Sequence, residues 1–454
     1  MTNPGGSGGN IDQLPAKSGQ ISPETGWLPE ILRALRHRNF QLFVSGQLIS
    51  LIGTWMQTIA ESWLVYRLTG SPLLLGTAGF VSQFPVFLVA PLGGIAADRF
   101  NRQRLVIATQ VSSMILAAIF ATLALTGVVR VWHIFVLAAL LGVVNAFDIP
   151  ARQSFLVDMV GKEDLMNAIA LNSSMFNGAR IVGPAIAGIL VARIGEGWCF
   201  FANSVSYIAV ITGLLLMRVP RPSRRAAAGP ALAHLIEGFR FARNTAPIRA
   251  LLLLLGLISL VAMPYTILMP LFADRILHGG ARGLGILMGA TGVGALLGAL
   301  TLATRAGVSG LGRWVAFSCG GFGASLVLFS FSRNFWFSAA LLLPVGYCMM
   351  LGMSSSNTLI QAMVPDELRG RVMALYTMMF MGMSPFGSLF AGAAAHRLGA
   401  PLTVAVGAVA CIGAAVFFFF HLPKIRMEAR RLIVSQAIAG GEPSAEMTAR
   451  VVED

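Results

Sequence analysis

"AIALNSSMFNGARIVGPAIAGILVARIG", residues 168–195, and "VMALYTMMFMGMSPFGSLFAGAAAHRLG", residues 372–399, align without a gap at an offset of 204. Ten of the 28 pairs are identical, among them Ala170 with Ala374, Phe176 with Phe380, Gly178 with Gly382, Gly183 with Gly387 and Gly188 with Gly392. Shared apolarity brings leucine opposite leucine by composition alone, but it does not bring glycines into register. The same offset sets Val89 on Val293, Leu92 on Leu296 and Gly94 on Gly298, so one register spans distant parts of the chain. The sequence is a tandem duplication.

Each copy is too apolar to live in water. The chain is 56% hydrophobic and only 11% charged, which leaves too little polar surface for a soluble protein of 454 residues. Between Leu42 and Phe420 twelve continuous apolar stretches occur, each of about 18 to 25 residues and long enough to cross a ~30 Å hydrocarbon layer as a helix. Continuous rather than alternating hydrophobicity argues for helices over a barrel. The expected fold is therefore an all-α integral membrane protein of twelve transmembrane helices in two pseudo-symmetric six-helix halves. The expected division is a tail over 1–40, a first half over 41–217, a linker over 218–249, a second half over 250–421 and a tail over 422–454. Parallel halves imply a pseudo-two-fold axis along the membrane normal and a substrate site between them near the midplane.

A net charge of +14 raises the question of nucleic acid, and the distribution of charge answers it. With the N-terminus inside, 25 of the 33 Lys and Arg fall in the seven cytoplasmic segments, seven fall in the six outer loops, and Arg180 lies within a span. The positive-inside rule then places both termini in the cytoplasm of a multi-pass inner-membrane protein. The excess charge reports topology and contact with anionic membrane lipids, not a nucleic-acid partner. Cys199, Cys319, Cys348 and Cys411 lie in separate spans without CxxC spacing, so neither disulfides nor a metal site is expected. GxxxxGK[ST], HExxH and GxSxG are all absent, which removes the corresponding enzyme classes and leaves no cofactor to assign. In the linker, Leu232, Leu235, Ile236 and Phe239 fall at helical spacing beside Arg240 and Arg243, as in a short helix on the inner membrane surface or a solvated linker helix.

Polar residues inside the spans are the functional candidates, because lipid penalises them. Span 1 carries Gln47, Ser50, Thr54, Gln57, Thr58 and Glu61 on one helical face, expected to line a central water-accessible cavity. Glu61 is the acid furthest inside any span; Asp98, Asp148 and Asp274 lie near span ends. A carboxyl group in low-dielectric surroundings favours its neutral form, so Glu61 is the proton-coupling candidate, against the alternative of an outer-end glutamate reaching the headgroups. On span 5, Ser173, Asn177, Arg180 and Pro184 share a face, with Gly178, Gly183 and Gly188 permitting close packing. Arg180 calls for a partner, with Asp148 on span 4 the first choice and an anionic substrate group the second. Further cavity candidates are Asn145, Ser259, Tyr265, Thr266, Tyr347, Ser354, Asn357 and Gln361, with Met349, Met350 and Met353 as adaptable apolar lining.

Between spans 2 and 3 lies "GGIAADRFNRQRL", Gly93 to Leu105, whose Gly94, Asp98, Arg99, Arg102 and Arg104 resemble the second-to-third-helix loop of the major facilitator superfamily. Asn101 stands where that motif has glycine, and Ala96 where it often has leucine. "FDIPARQSFLVDMV" at 147–160 and "RIVGPAIAG" at 180–188 resemble the enterobactin-exporter and macrolide-efflux branch, and "GARIVGPAIAG" is similar to the fifth-helix motif of drug antiporters without its full glycine series. The resemblance implies that Asp98 latches helix 2 to helix 11 on the cytoplasmic side, supported by Arg99 and Arg102. Helix 11 starts near Arg371, where its unpaired N–H groups can receive a carboxylate. At the duplicated position Leu302 replaces the aspartate. The expected function is secondary active transport by alternating access, with proton-coupled efflux of small amphipathic molecules of drug or siderophore type, by a monomer. The alternatives are a lysophospholipid flippase of the same fold and a non-transporting membrane sensor or assembly protein.

Overall fold

The computed structural model describes residues 32–161, 163–218, 231–304 and 307–439. Among these, twelve helices are long and apolar enough to cross a membrane: α1 Arg38–Thr69, α2 Pro72–Arg99, α3 Arg102–Leu125, α4 Val131–Val160, α5 Leu165–Ile194, α6 Glu196–Leu216, α7 Ala246–Ile276, α8 Gly280–Ala303, α9 Leu311–Phe331, α10 Phe335–Met363, α11 Glu367–Leu398 and α12 Ala400–Val434. The last continues helical to Ala439, past residue 421. A connecting helix, Ala231–Asn244, lies between α6 and α7. The tails over 1–31 and 440–454 and the side chains of Leu232, Leu235 and Ile236 lie outside the described residues; Phe239 on the same helix is exposed.

Local chemistry sets the helix ends. Ser71 caps α2, its hydroxyl accepting from the Leu74 N–H, with Pro72 in the first helical position. Gly70 closes α1 at φ +58°, a conformation that costs a side-chain-bearing residue about 1 kcal/mol or more. Asn101 has extended dihedrals and caps α3 by accepting from the Arg104 N–H at 3.0 Å. Two helices are broken mid-span. α7 is interrupted at Ala262–Pro264 and ends in a π turn over Phe272–Ile276, next to Pro270, which has no N–H to give. α11 is interrupted at Gly382 and Met383, and restarts with Pro385 in its first turn.

α1 begins and α12 finishes at one end of the bundle, called here the terminal end; the opposite end is the far end. The halves meet along two seams, α5 with α8 and α2 with α11. At the first, a Cβ on Gly188 would stand 3.0 Å from the Gly285 Cα; at the second, a Cβ on Gly392 would stand 2.8 Å from the Gly76 Cα. Gly188 and Gly392 are the duplication-related pair, so the same residue makes a close approach in both seams. Both contacts lie in the far half of the bundle. Towards the terminal end α2 leaves α11: Phe87 touches the break at Gly382, whereas Leu92 beyond it is 58% exposed. The close backbone approaches between the halves thus lie towards the far end.

Candidate functional site

The charged loop joins α2 to α3 at the terminal end. Asp98, Arg99 and Arg104 are exposed, and Asp98 has neither ion pair nor hydrogen bond among the described residues. Arg102 is tied down: its Nη1 pairs with both Asp158 oxygens at 3.0 and 3.1 Å and donates to the Ser154 carbonyl, binding the start of α3 to the end of α4. Within the motif, Gly94 has open space around it. Gly93 is the close approach, since a Cβ there would stand 2.0 Å from the Ala146 carbonyl of α4. Arg371, at the start of α11, pairs with Glu237 of the connecting helix, whose Gly238 lies against the Arg371 backbone.

The polar face of α1 divides. Gln47, Ser50 and Gln57 are buried, so they do not line open space as expected. Gly53 brings the α6 backbone close, and there Asn203 donates to the Gln57 Oε1 at 2.7 Å while Ser206 donates to the Asn203 carbonyl. Gln57 thus finds its partner on a polar stripe of α6, whereas the buried Gln47 Oε1 has no hydrogen-bond partner among the described residues. Thr54 and Thr58 remain exposed and Glu61 half-buried; Glu61 makes no ion pair or hydrogen bond among the described residues.

The expected Asp148–Arg180 pair is not formed. Asp148 faces α3, accepting from Thr109 at 2.8 Å and Gln110 at 2.9 Å, and its second oxygen pairs with Arg152 one turn along α4. Three donors compensate its charge within the first half. Arg180 points the other way, into the second half. Its guanidinium lies 5.6 Å from the Trp55 ring centroid, and one Nη2 approaches the Met349 sulfur at 3.9 Å. The buried Tyr265 hydroxyl, with no hydrogen bond within 3.5 Å among the described residues, neighbours Thr291 of α8, one residue before Gly292. The Arg180 and Ile181 backbone packs on Gly292 of α8. These residues sit near the middle of α1, α5, α7, α8 and α10.

The remaining candidates scatter around this centre. Asn177 caps back onto the Ser173 carbonyl of its own helix. Asn357 accepts from Gln361 one turn along α10, and Asn145 is half-buried on α4. Met349 and Met353 line a small cavity of about 20 Å³ between α7, α9, α10 and α11 that also takes in Cys319, Cys348 and Phe322.

Far-end closure rests on residues that sequence reasoning passed over. The Tyr66 hydroxyl of α1 donates to Asp274 Oδ2 at 2.6 Å, and the Arg275 guanidinium lies 5.7 Å from the Tyr66 ring centroid. Both partners stand on the π turn, which aims them across the gap between halves. Phe80, Phe84 and Phe87 of α2 surround Phe386 of α11 with centroids 5.9 to 6.2 Å apart. Asp274 was visible as an acid near a span end; only the third dimension identifies Tyr66 as its donor.

The sequence profile of a family described as transmembrane secretion effector matches residues 30–449. The chain is 26% identical to the staphyloferrin A transporter of Staphylococcus aureus over 389 residues, covering 85% of this chain and 97% of that one. It is 24% identical to the enterobactin exporter EntS of Shigella boydii over 385 residues, covering 85% and 91%. Among solved structures, the nucleoside transporter NupG superposes with a TM-score of 0.67 at 15% identity, covering 85% and 99%.

Proposed function

The chain belongs to the transmembrane secretion effector family of major facilitator transporters, a multi-pass inner-membrane protein with a small-molecule substrate, and from that membership we propose that it exports small amphipathic molecules, of drug or siderophore type, in exchange for protons by alternating access. The observation that carries the reading is that contacts between the two halves gather away from the terminal end, with Tyr66 bonded to Asp274 at the far end and Phe386 packed among Phe80, Phe84 and Phe87, while Asp98 stands exposed and unpaired at the terminal end. The terminal end holds most of the basic residues, and the positive-inside rule makes it cytoplasmic. The described conformation is then inward-open, and substrate loads from inside.

In the alternate state α2 and α11 approach at the cytoplasmic end and the unpaired Asp98 reaches the N–H groups at the start of α11. Such a contact is worth about 0.3 to 1 kcal/mol, and up to about 2 when partly buried. That suffices to bias two states separated by a few kcal/mol. Glu61, a carboxyl without a counter-charge on the central helix, is the proton carrier. The membrane potential adds about 2.3 kcal/mol per elementary charge per 100 mV, enough to concentrate substrate outside.

Reconstitution under an acid-inside gradient tests this, with lumenal pH recorded while siderophores, drugs and lysophospholipids are offered separately. A substrate-triggered proton leak is expected and names the substrate class; Glu61→Gln abolishes the leak. A lysophospholipid that crosses with no leak overturns the exchange in favour of lipid flipping, and transport by Glu61→Gln at the wild-type rate moves coupling elsewhere.

A further inference from the structure

We propose that Arg180 and Tyr265 form the subsite for an anionic group of the substrate, so that the transported molecule is an organic anion, an aromatic or otherwise apolar carboxylate; this rests on the transport reading above.

The argument starts from the cost of a guanidinium at the middle of a span. Charges at that depth face their own counter-charge or a water-filled path, yet no carboxylate lies within ion-pairing distance of Arg180 among the described residues. Asp148 is taken by Arg152, Thr109 and Gln110, Asp274 by Tyr66 and Glu196 by Arg67. Glu61 stands six residues beyond Trp55 on α1, a rise of about 9 Å. What Arg180 does have is the Trp55 ring against it and a thioether at 3.9 Å, a weak acceptor for one of five N–H donors. The ring supports the cation without consuming its hydrogen-bonding edge. A planar fork with free donors is the geometry that accepts a carboxylate in two parallel bonds.

Tyr265 is the second, independent observation. Its hydroxyl is buried and makes no hydrogen bond within 3.5 Å among the described residues, with Thr291 of α8 its polar neighbour, and an anion held by Arg180 gives it a charged acceptor. Arg180 comes from the first half and Tyr265 from the second, so a carboxylate between them joins the halves at their midplane. Trp55, edge-on to Phe176 at 5.6 Å, and Met349 surround the position with apolar surface, which selects an apolar body behind the charge.

A matched trio separates charge from shape: 2-naphthoate, 2-naphthamide and 2-naphthylmethylammonium, each titrated onto the purified full-length protein by calorimetry and then offered to proteoliposomes. Naphthoate should bind at least about tenfold more tightly than the other two, since hydrogen bonds to charged groups contribute about 1.5 to 3 kcal/mol. Arg180→Gln should erase that preference, Arg180→Lys should keep part of it, and Tyr265→Phe should weaken naphthoate a few-fold without affecting the amide. If Arg180→Gln does not fold, Arg180→Lys and Tyr265→Phe carry the comparison. An unchanged preference in the variants, tighter binding of the ammonium, or no binding of any probe overturns the proposal. Binding with the expected preference but no crossing by any probe sinks the transport reading and leaves the anion site standing. Crossing by the amide or ammonium while naphthoate is ignored does the reverse.

Discussion

Replacing Asp158 by asparagine keeps the shape of the Arg102 contact and removes its charge, leaving a partly buried guanidinium with only carbonyl acceptors at the foot of α3. The expected loss is about 1 to 3 kcal/mol in thermal unfolding of the purified protein. Asp98→Asn, on the exposed side of the same loop, should leave unfolding unchanged while slowing transport, because its partner exists only in the alternate state. Equal effects on both readouts from both variants would mean that the loop is one structural unit without a latch. The sequence offered these residues together, and charge type alone could not sort them: Asp158 stands inside the quoted "FDIPARQSFLVDMV", but its distance from Arg102 across the α3–α4 turn is a property of the folded chain. Gln57 misleads for a related reason. A polar stripe on a spanning helix predicts escape from lipid, and a neighbouring polar helix provides that escape as well as water does. Asn203, Ser204 and Ser206 in the middle of span 6 were the legible signal for it.

At the scale of elements, glycines that looked alike in the repeat separate into working and idle ones. Gly188→Leu forces the α5–α8 seam apart and should cost the closed state about 1 to 3 kcal/mol, whereas Gly178→Ala meets nothing within 4 Å and should fall within about 0.5 kcal/mol of wild type. The readout is alkylation of a cysteine placed at Ser388, which is 1% exposed in the α2–α11 seam and reachable only when the far end parts. Tyr66→Phe removes the hydroxyl that crosses to Asp274, and the same reporter should label about tenfold faster or more, since a hydrogen bond to a charged acceptor is worth about 1.5 to 3 kcal/mol. No acceleration would assign closure to the Phe386 cluster alone. Helix number and approximate limits were readable because a ~30 Å hydrocarbon layer demands long apolar runs. The breaks in α7 and α11 were not, because Pro264, Pro270 and Gly382 are tolerated in spanning helices without interruption as often as they cause it.

For the molecule as a whole, the duplication was legible in α5 and α11, where the offset of 204 holds, but its register was misread in α2 and α8, where equivalent contacts match Gly76 with Gly285 and Ser82 with Thr291, five residues further along. The direction in which the halves part was not legible, because one sequence serves both states and only relative side-chain positions tell them apart. The two seams nevertheless carry a consequence of their own. Gly188 and Gly392 repeat one backbone contact on opposite sides of the pseudo-two-fold axis, and a contact made twice around such an axis is what an ancestral homodimer of six-helix chains requires. In the register those contacts set, Asp98 stands opposite Gly307, so the repeated seam is shared by both copies and the aspartate belongs to the first alone. The halves should therefore still recognise each other when separated: expressed as two polypeptides cut between Arg218 and Ala231, they should co-purify, and Gly188→Leu in one of them should weaken the partnership.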